Sequence, residues 1–521
     1  MARHYDVIII GSGAGGGTLA YALADTGKSI LILERGGILP VEADNWSPRA
    51  VFIDLKYNTT EKWIDKDGKP FNPHTHYWAG GNTTFYGAAL MRMKKRDFEQ
   101  VQHAGGVSPA WPVDYAEMAP WYAQAEALWE VHGERHIDPN DDPGDPPFPF
   151  PPIAHDPGVL QLADHFRSLG WTPSPLPLGI RRNDADPQAS LCIRCRTCGG
   201  YPCQRLAKVD ARTAVLDKAV AHDNVTLMTG RKALRIETDA SGKRATAVIV
   251  EDVDGEERIE GDIIVTSAGA ANSAALWLRS ASGAHPDGLA NGSGMVGRNY
   301  MFHTSSAVIA LAWDHFQSDF PKTLYVNDFY FGEPDGSYDY PMGQMQMLEY
   351  MSGSTIEGQI ADWLPPWLVP DFLSNAIANR MISFLAQSED LPNPNNRITV
   401  GADGQIHLDY TFGDVSAHNR LVRKLCAGLD GFVSDHHILA GHHFAVDELL
   451  PIIGTAHQCG TLRFGADPAT SVLDPWCKAH ELDNLYAVDA SFFVSSSAVN
   501  PTLTIVANAL RVGAHLRERL G

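Results

Sequence analysis

The sequence is poor in features of membrane-embedded or nucleic-acid-binding proteins. No apolar run in its 521 residues approaches the roughly 18 residues that a membrane-spanning helix needs. Basic residues are scarce, since 41 Lys and Arg face 62 Asp and Glu. The net charge of −21 argues against binding to nucleic acid or to an anionic membrane surface. The composition therefore predicts a globular protein with neither partner.

The N-terminus and the cysteines bear on location. Strand-like residues begin at Asp6, which leaves no room for the charged and apolar regions of a signal peptide. No twin-Arg segment precedes them. The odd number of cysteines, seven, fits a reducing compartment. We therefore expect a cytoplasmic protein.

Four of the cysteines are clustered, at Cys192, Cys195, Cys198 and Cys203. Such compact spacing suits a zinc site or an iron–sulfur cluster. It differs from bacterial ferredoxin spacing, however, and no further Cys or His run completes a ligand set. A thiol-rich structural loop is the third interpretation and the one we predict, so no metal is expected.

A Gly-rich loop follows the first strand-like run. Gly11-x-Gly13-x-x-Gly16 lies between residues 6–10, which predict a buried strand, and a helical stretch at 18–24. The next predicted strand, 29–33, ends on Glu34, whose carboxylate can accept hydrogen bonds from ribose hydroxyls. The unit predicts a dinucleotide site but does not distinguish FAD from NAD. Its candidate binding residues are Gly11, Gly13, Ala14, Gly16, Glu34 and Arg35.

The C-terminal region combines His457 with Asn500 and Pro501. We expect Asn500 to cap a helix and Pro501 to be its first residue, because both are common in those positions. Apolar residues then recur at helical spacing from Leu503 to Ala514. Such a helix would direct its N–H groups toward whatever Asn500 touches.

The middle of the chain has a coarser pattern. Residues 114–131 predict an amphipathic helix, and 138–152, dense in Pro and Asp, predict an extended surface excursion. Strands are expected at 224–230 and 262–269, with a hairpin turn at Asp254-Gly255. Residues 301–454, with strands at 397–400 and 405–410, predict an antiparallel sheet.

Taken end to end, the chain resembles the glucose–methanol–choline (GMC) family of FAD oxidoreductases. The motifs that carry the resemblance are the Gly11 loop, Ala79–Gly87, Ser267–Ser273, Val296–Tyr300, His457–Thr461, Asp489 and Asn500-Pro501. A closer likeness, to actinobacterial pyranose oxidases and glycoside 3-oxidases, rests on Ser108–Pro112, Cys192–Cys195, Asn291–Ser293, Val296–His303, Asn327–Gly332 and Lys478–Leu485.

The resemblance implies an α/β fold with two interleaved parts. A Rossmann-like FAD-binding domain would comprise residues 1–105, 205–300 and 455–521. An α+β substrate-binding domain, built on an antiparallel sheet, would comprise 106–204 and 301–454, with a Pro-rich excursion at 138–157.

The resemblance also assigns roles to single residues. His457 would be the general base, with Asn500 its partner across the substrate hydroxyl. Gly80, Gly81 and Asn82 would lie over the flavin, and Asp489 near its ribityl chain or pyrophosphate. The other implied FAD contacts are Ala268, Pro501 and Thr502. Since Gly80–Gly87 contains no histidine, noncovalent FAD is expected.

The chemistry suits these residue types. A neutral imidazole can accept the hydroxyl proton as hydride leaves the carbinol carbon, and Asn500 can orient the oxygen. Other histidines, including His303, His442, His443 and His480, are expected to be structural or exposed. The aromatics from Tyr325 to Phe331 are expected in the core rather than in a sugar platform.

The expected function is oxidation of a secondary hydroxyl, at C3 or C2 of a pyranose or glycoside, to a keto sugar. O2 would reoxidise the flavin to give H2O2, in a protein expected to be a monomer. Alternatives are a sugar dehydrogenase with a quinone or protein acceptor, a GMC oxidase for a sterol or aliphatic alcohol, and a flavin-binding sensor.

Overall fold

The structure is a computed structural model that describes residues 3–73, 75–312, 314–350, 352–353, 371–434, 444–445, 449–451 and 456–521. The side chains of 371, 372, 434, 444 and 445 are outside that description. His442 and His443 therefore lie outside the described residues.

The strands of the described residues belong to three larger sheets and two small ones. In chain order they are β1 Arg3–Ile10, β2 Ile30–Leu33, β3 Trp63–Asp65, β4 Pro70–Phe71, β5 Val101–His103, β6 Gly106–Ser108, β7 Val131–His132, β8 Ser174–Pro175, β9 Leu178–Gly179, β10 Val225–Met228, β11 Lys232–Thr238, β12 Ala245–Asp252, β13 Gly255–Thr266, β14 Thr304–Leu311, β15 Leu324–Val326, β16 Gln344–Met347, β17 Met381–Ser388, β18 Arg397–Val400, β19 Ile406–Asp409, β20 Phe444–Ala445 and β21 Leu485–Ala487.

The helices lie between and around these sheets. They are α1 Ala14–Leu23, α2 Tyr115–Leu128, α3 Pro157–Ser168, α4 Asp217–Val220, α5 Ala270–Arg279, α6 Asp371–Ala378, α7 Ser416–Ser434 and α8 Thr502–Leu520. Among the residues that the structure describes, no helix is both long enough and apolar enough to cross a lipid bilayer.

A seven-stranded sheet carries the first predicted unit. Its order is β10-β2-β1-β13-β12-β11, with β21 also paired to β13. The pairs β10–β2, β2–β1, β1–β13 and β13–β21 are parallel. Residues 7–10 and 30–33 are buried throughout, as expected of parallel strands covered on both faces. The predicted strand–helix–strand unit is confirmed, although α1 begins at Ala14 rather than near residue 18.

The second large sheet is antiparallel. Its six strands run in the order β20-β14-β17-β16-β15-β8, and α7 packs on β14 and β17. Methionines and aromatics fill its core, among them Met345, Met347, Phe329 and Phe384. The antiparallel sheet expected from residues 301–454 is therefore confirmed.

Smaller expectations have mixed outcomes. The hairpin is confirmed, but its turn lies one residue earlier than expected, at Val253 and Asp254, because β12 ends at Asp252 and β13 begins at Gly255. The strands expected at 397–400 and 405–410 are β18 and β19. They share a four-stranded sheet with β3 and β4, so that segments from both expected domains meet there. The domain boundaries themselves stay a prediction.

The Pro-rich excursion is mostly exposed or half-buried, as the sequence predicted, but two of its carboxylates point inward. Residues 138–152 contain no helix or named strand, yet Asp138 and Asp145 are buried. Lys94 Nζ donates to Asp138 at 2.6 Å, and Arg92 donates to Asp145 at 2.8 Å. The carboxylates turn inward because these buried cations need partners.

Candidate active site

The carboxyl ends of the parallel strands meet at one edge of the seven-stranded sheet. Gly11 follows β1, Glu34 follows β2, and Ser267 follows β13. In open α/β sheets ligands bind outside these ends. A cavity of about 710 Å³ lies there and extends to the antiparallel sheet, where Gln346 and Gln387 border it.

The glycines of the loop do different jobs. A Cβ atom at Gly11 would lie 2.2 Å from the carbonyl oxygen of Ser267, and Gly11 has a φ of +104°. A Cβ at Gly16 would lie 2.0 Å from the carbonyl oxygen of Gly11. A Cβ at Gly13, by contrast, would meet no described atom within 4 Å. Gly11 and Gly16 therefore permit backbone contact, whereas Gly13 leaves space beside the cavity.

Glu34 and Arg35 also border the cavity. Ser12 donates to Glu34 Oε2 through its hydroxyl, at 2.5 Å, and Gly36 N donates to Oε1 at 2.9 Å. Burial raises the pKa of the Glu34 carboxyl, and these hydrogen bonds oppose that shift. Arg35 donates to Glu61 at 2.6 Å and stacks over the Tyr77 ring at 3.7 Å.

The segment Gly80–Asn82 approaches the Gly-rich loop. Gly80 N donates to Ser12 Oγ at 3.2 Å, and a Cβ at Gly81 would lie 3.3 Å from Gly13 Cα. Asn82 Oδ1 accepts from the backbone N of His76 at 2.8 Å. Gly81 and Asn82 border the cavity. Neither Gly80 nor Gly16 is among the described residues that border it.

Ala268 and Asp489 lie where β13 and β21 end, and both border the cavity. Asp489 Oδ2 accepts from Gly269 N at 3.0 Å and from the Ser273 hydroxyl, and Oδ1 accepts from Ser491 N at 2.9 Å. Burial raises the pKa of this carboxyl. Asp489 thus fixes the turn into α5 as well as facing the cofactor end.

The start of α8 corrects one expectation. Pro501, not Asn500, is the N-cap, because Ile505 N donates to the Pro501 carbonyl at 3.1 Å and α8 begins at Thr502. Asn500 precedes the cap, is buried, and borders the cavity with Pro501 and Thr502. Its Oδ1 has no hydrogen-bond partner among the described residues. An unpaired buried oxygen is costly, so this atom is suited to a donor from a bound molecule.

His457 borders the same cavity. His303 does not line the cavity but contacts the ring of His457. The two Nδ1 atoms are 3.0 Å apart, and the rings are nearly perpendicular, at 89°. His303 is wholly buried. The sequence prediction that His303 is structural or exposed thus missed a direct neighbour of the candidate base. His480, by contrast, is half-buried and bonds to Ser471 Oγ at 2.9 Å.

The antiparallel sheet contributes both polar side chains, such as Gln346 and Gln387, and the apolar side chain of Leu385 to the far end of the cavity. Gln387 Nε2 donates to the Ala498 carbonyl at 2.9 Å, which fixes the orientation of this amide. Gln387 Oε1 and Gln346 Oε1 are buried without a partner among the described residues. Lys322, which also borders the cavity, forms an ion pair with Glu349.

The aromatics and the cysteine cluster lie apart from this set. Tyr325, Phe329 and Tyr330 are buried, which confirms their placement in the core. The four clustered cysteines are half-buried and, within the described part of the chain, form no disulfide. No group of three described His, Cys, Asp or Glu residues is arranged to hold a metal ion. Lys208 instead ties their loop together, donating to the carbonyls of Tyr86, Cys198 and Tyr201.

Comparison with known proteins matches three regions of the chain. Residues 162–305 and 441–509 match the two GMC oxidoreductase family models, and 9–52 match an NAD(P)-binding Rossmann-like domain. The chain is similar to paromamine 6'-oxidase of Streptomyces fradiae, with 31% identity over 98% of this chain and 90% of that protein. The chain belongs to the GMC oxidoreductase family.

A second relative and a solved structure agree with this assignment. The 6'''-hydroxyparomomycin C oxidase of Streptomyces lividus is 32% identical to this GMC oxidoreductase over 99% of this chain and 92% of its own length. A structure of Aspergillus oryzae formate oxidase, determined for the effect of a mutation on FAD modification, is 15% identical with a TM-score of 0.69. It covers 99% of both chains and shares the fold.

Sequence reasoning missed His303, Gln346 and Gln387. A partial signal existed for Gln387, since it is a long polar side chain in β17, a strand that is mostly apolar. No comparable signal indicated His303, because its partner lies 154 residues away along the chain.

Proposed function

We propose that this GMC oxidoreductase oxidises a secondary hydroxyl of a pyranose or glycoside, at C3 or C2, to the ketone. The observation that carries the proposal is one cavity bordered by a Gly-rich loop, by His457 and Asn500, and by unpaired amide oxygens. FAD would be bound noncovalently and O2 would be the final acceptor, giving H2O2.

The residues at the cofactor end fit FAD. Gly13 leaves space beside the loop, and α1 begins there without a side-chain cap among the described residues. Its first amides are thus suited to a pyrophosphate, with Glu34 beside a ribose. Noncovalent binding is supported by Gly80–Gly87, which lacks histidine, and by His76, whose ring stacks on Phe85 at 3.9 Å. When bound, FAD supplies the hydride acceptor.

Oxidation of a carbinol removes a hydride from carbon and a proton from oxygen. The imidazole of His457 would take the proton, because a neutral imidazole is the most frequent general base in enzymes. Asn500 cannot titrate, but its unpaired Oδ1 can accept a hydrogen bond and help hold the substrate in place. Transfer of the hydride and one proton to O2 then gives H2O2.

The substrate end favours a ligand with several hydroxyl groups. Gln346 and Gln387 each contribute an amide oxygen that lacks a protein donor among the described residues. Hydroxyl groups can donate to such oxygens, whereas an aliphatic alcohol or sterol would leave most of them unpaired. This supports a sugar over an apolar alcohol.

The names of the two relatives favour a second candidate reaction. Paromamine 6'-oxidase is named for a 6' position, and the other relative for a 6''' hydroxyl. Oxidation of a 6-hydroxyl would use the same proton acceptor and the same cavity. The two reactions differ in product, a ketone against an aldehyde.

The test is an anaerobic screen of pyranoses, aryl glycosides and amino sugars for bleaching of the bound flavin, followed by NMR of the product. We expect bleaching by a pyranoside and a keto carbon at C3 or C2. An aldehyde at C6 would support the second candidate, and bleaching only by non-sugar alcohols would contradict both. Faster turnover with a quinone than in air would contradict O2 as the acceptor.

A further inference from the structure

A short antiparallel bridge aligns His303 with His457. Met301 N donates to the Cys459 carbonyl at 3.0 Å, and Cys459 N donates to the Met301 carbonyl at 2.8 Å. His303 is two residues after Met301, and His457 is two before Cys459, so antiparallel register places them opposite each other. The structure thus builds the 3.0 Å contact into the backbone.

Close approach of the two segments depends on a glycine. A Cβ at Gly460 would lie 2.3 Å from the carbonyl oxygen of Asn299, and Gly460 has a φ of +91°. His303 itself has a φ of +89°, in the left-handed region that is unfavourable for residues other than glycine. Backbone in such regions often belongs to functional sites, where surrounding contacts hold it.

The protonation of His303 follows from its other ring nitrogen. His303 Nε2 lies 3.1 Å from the carbonyl oxygen of Ser496. A carbonyl oxygen only accepts, so Nε2 must carry a hydrogen. Burial lowers the pKa of His303 to about 4, so the ring is neutral near pH 7. In a neutral ring with Nε2 protonated, Nδ1 is an acceptor.

We propose that His303 is a positioning residue that fixes the tautomer of His457. His303 Nδ1 accepts, so His457 must donate from its own Nδ1, which leaves the basic lone pair on His457 Nε2. Ser496, His303 and His457 thereby form a chain of hydrogen bonds with one defined direction. The functional consequence rests on the proposed role of His457 as the base, whereas the tautomer itself does not.

The same bond serves both protonation states of His457. When Nε2 accepts the substrate proton, Nδ1 still donates to His303, now as a stronger, charge-assisted bond. The proton does not pass onward, because His303 resists protonation and the Ser496 carbonyl is a poor base. The chain therefore orients the base and does not relay its proton, so reorganisation during the reaction is small.

The test compares three variants of the holoenzyme. His303→Leu removes the acceptor, whereas His303→Asn keeps an oxygen acceptor and tolerates positive φ. The matched control is His418→Leu. His418 is also buried, bonds to the hydroxyls of Ser306 and Ser388, and has a pKa lowered by burial to about 4, but it does not border the cavity.

The decisive readout is nitrogen-15 NMR of histidine-labelled protein, with the His457 signals assigned by their loss in His457→Gln. We expect His457 to be protonated at Nδ1 in the wild type and in His303→Asn and His418→Leu. In His303→Leu we expect Nε2 protonation and flavin reduction slowed about 100-fold at unchanged KM. An Nε2–H tautomer in the wild type would overturn the proposal, even if His303→Leu fails to fold.

A second result would also overturn it, namely an unchanged tautomer and rate in His303→Leu. Failure of the proposed function would look different. A sugar-inactive enzyme whose His457 is protonated at Nδ1 would refute the reaction while leaving the tautomer assignment intact.

Discussion

The cofactor end of the cavity depends on close contacts between backbone segments, whereas the substrate end depends on side chains that project from a regular sheet. At the cofactor end Gly11 and Gly16 bring main-chain atoms within 2.2 Å of where a Cβ would lie. At the substrate end Gln346 and Gln387 stand on a regular antiparallel sheet. Residue type is therefore dictated by chain geometry at one end, whereas at the other it can change without changing the backbone.

The largest expected effect separates two glycines of one loop. Gly16→Ala places a methyl group 2.0 Å from a carbonyl oxygen, and we expect a loss of about 3 kcal/mol in the free energy of unfolding. Gly13→Ala meets no described atom and has an ordinary φ of −69°, so stability should hold while FAD affinity falls. Thermal unfolding measures the stability of the two variants, and titration with FAD measures their affinity. Equal melting temperatures for Gly16→Ala and Gly13→Ala would contradict the different roles assigned to the two glycines.

A buried acid that accepts a hydrogen bond from the backbone N of Phe302, one residue before His303, provides the next prediction. Burial, opposed by hydrogen bonds from Tyr410 and Phe302, raises the pKa of Asp390 from 3.8 to about 7. The folded protein thus binds an extra proton between about pH 4 and pH 7, so this group's contribution to stability is lost as pH rises through that window.

Asp390→Asn should remove that dependence. The stability of the variant relative to the wild type should rise by about 2 kcal/mol from pH 5 to pH 8. Urea unfolding at the two pH values gives the difference, from which any constant effect of the substitution cancels. A difference that is the same at both pH values would show that Asp390 is ionised throughout.

The smallest expected effect tests the amide oxygens. Gln346→Leu should raise KM for the sugar about tenfold, the cost of one lost hydrogen bond of about 1.4 kcal/mol. Stability should not fall, since Oε1 has no partner among the described residues. Deoxy analogues of the substrate serve as the control. If no analogue cancels the difference between variant and wild type, Gln346 does not bind a sugar hydroxyl.

The same contrast explains what the sequence could predict. The strand–loop–helix unit was readable because its glycines and Glu34 lie within 24 residues and each follows a local rule. The antiparallel sheet could be predicted from the strand-like segments of residues 301–454. Asn500 was misplaced as a cap because Asn and Pro are frequent neighbours at helix starts, and only the carbonyl contact of Pro501 distinguishes the registers.

Long-range pairing was out of reach. The contact between His303 and His457 depends on the bridge between Met301 and Cys459, which periodicity does not indicate. Asp138 lies in a segment whose composition is that of a surface loop. It is buried because it pairs with the buried ammonium of Lys94, 44 residues earlier. The roles of residues that depend on partners far away in the chain therefore could not be predicted from the sequence, whereas roles that depend on neighbouring residues could.

Anaerobic stopped-flow reduction of the bound flavin, comparing wild type with His457→Ala at saturating pyranoside, tests the central claim most directly. The account predicts that the variant keeps its FAD and its fold while flavin reduction slows by about 10²- to 10⁴-fold, the usual contribution of a general base. Reduction at a rate near that of the wild type would contradict the assignment of His457 as the base.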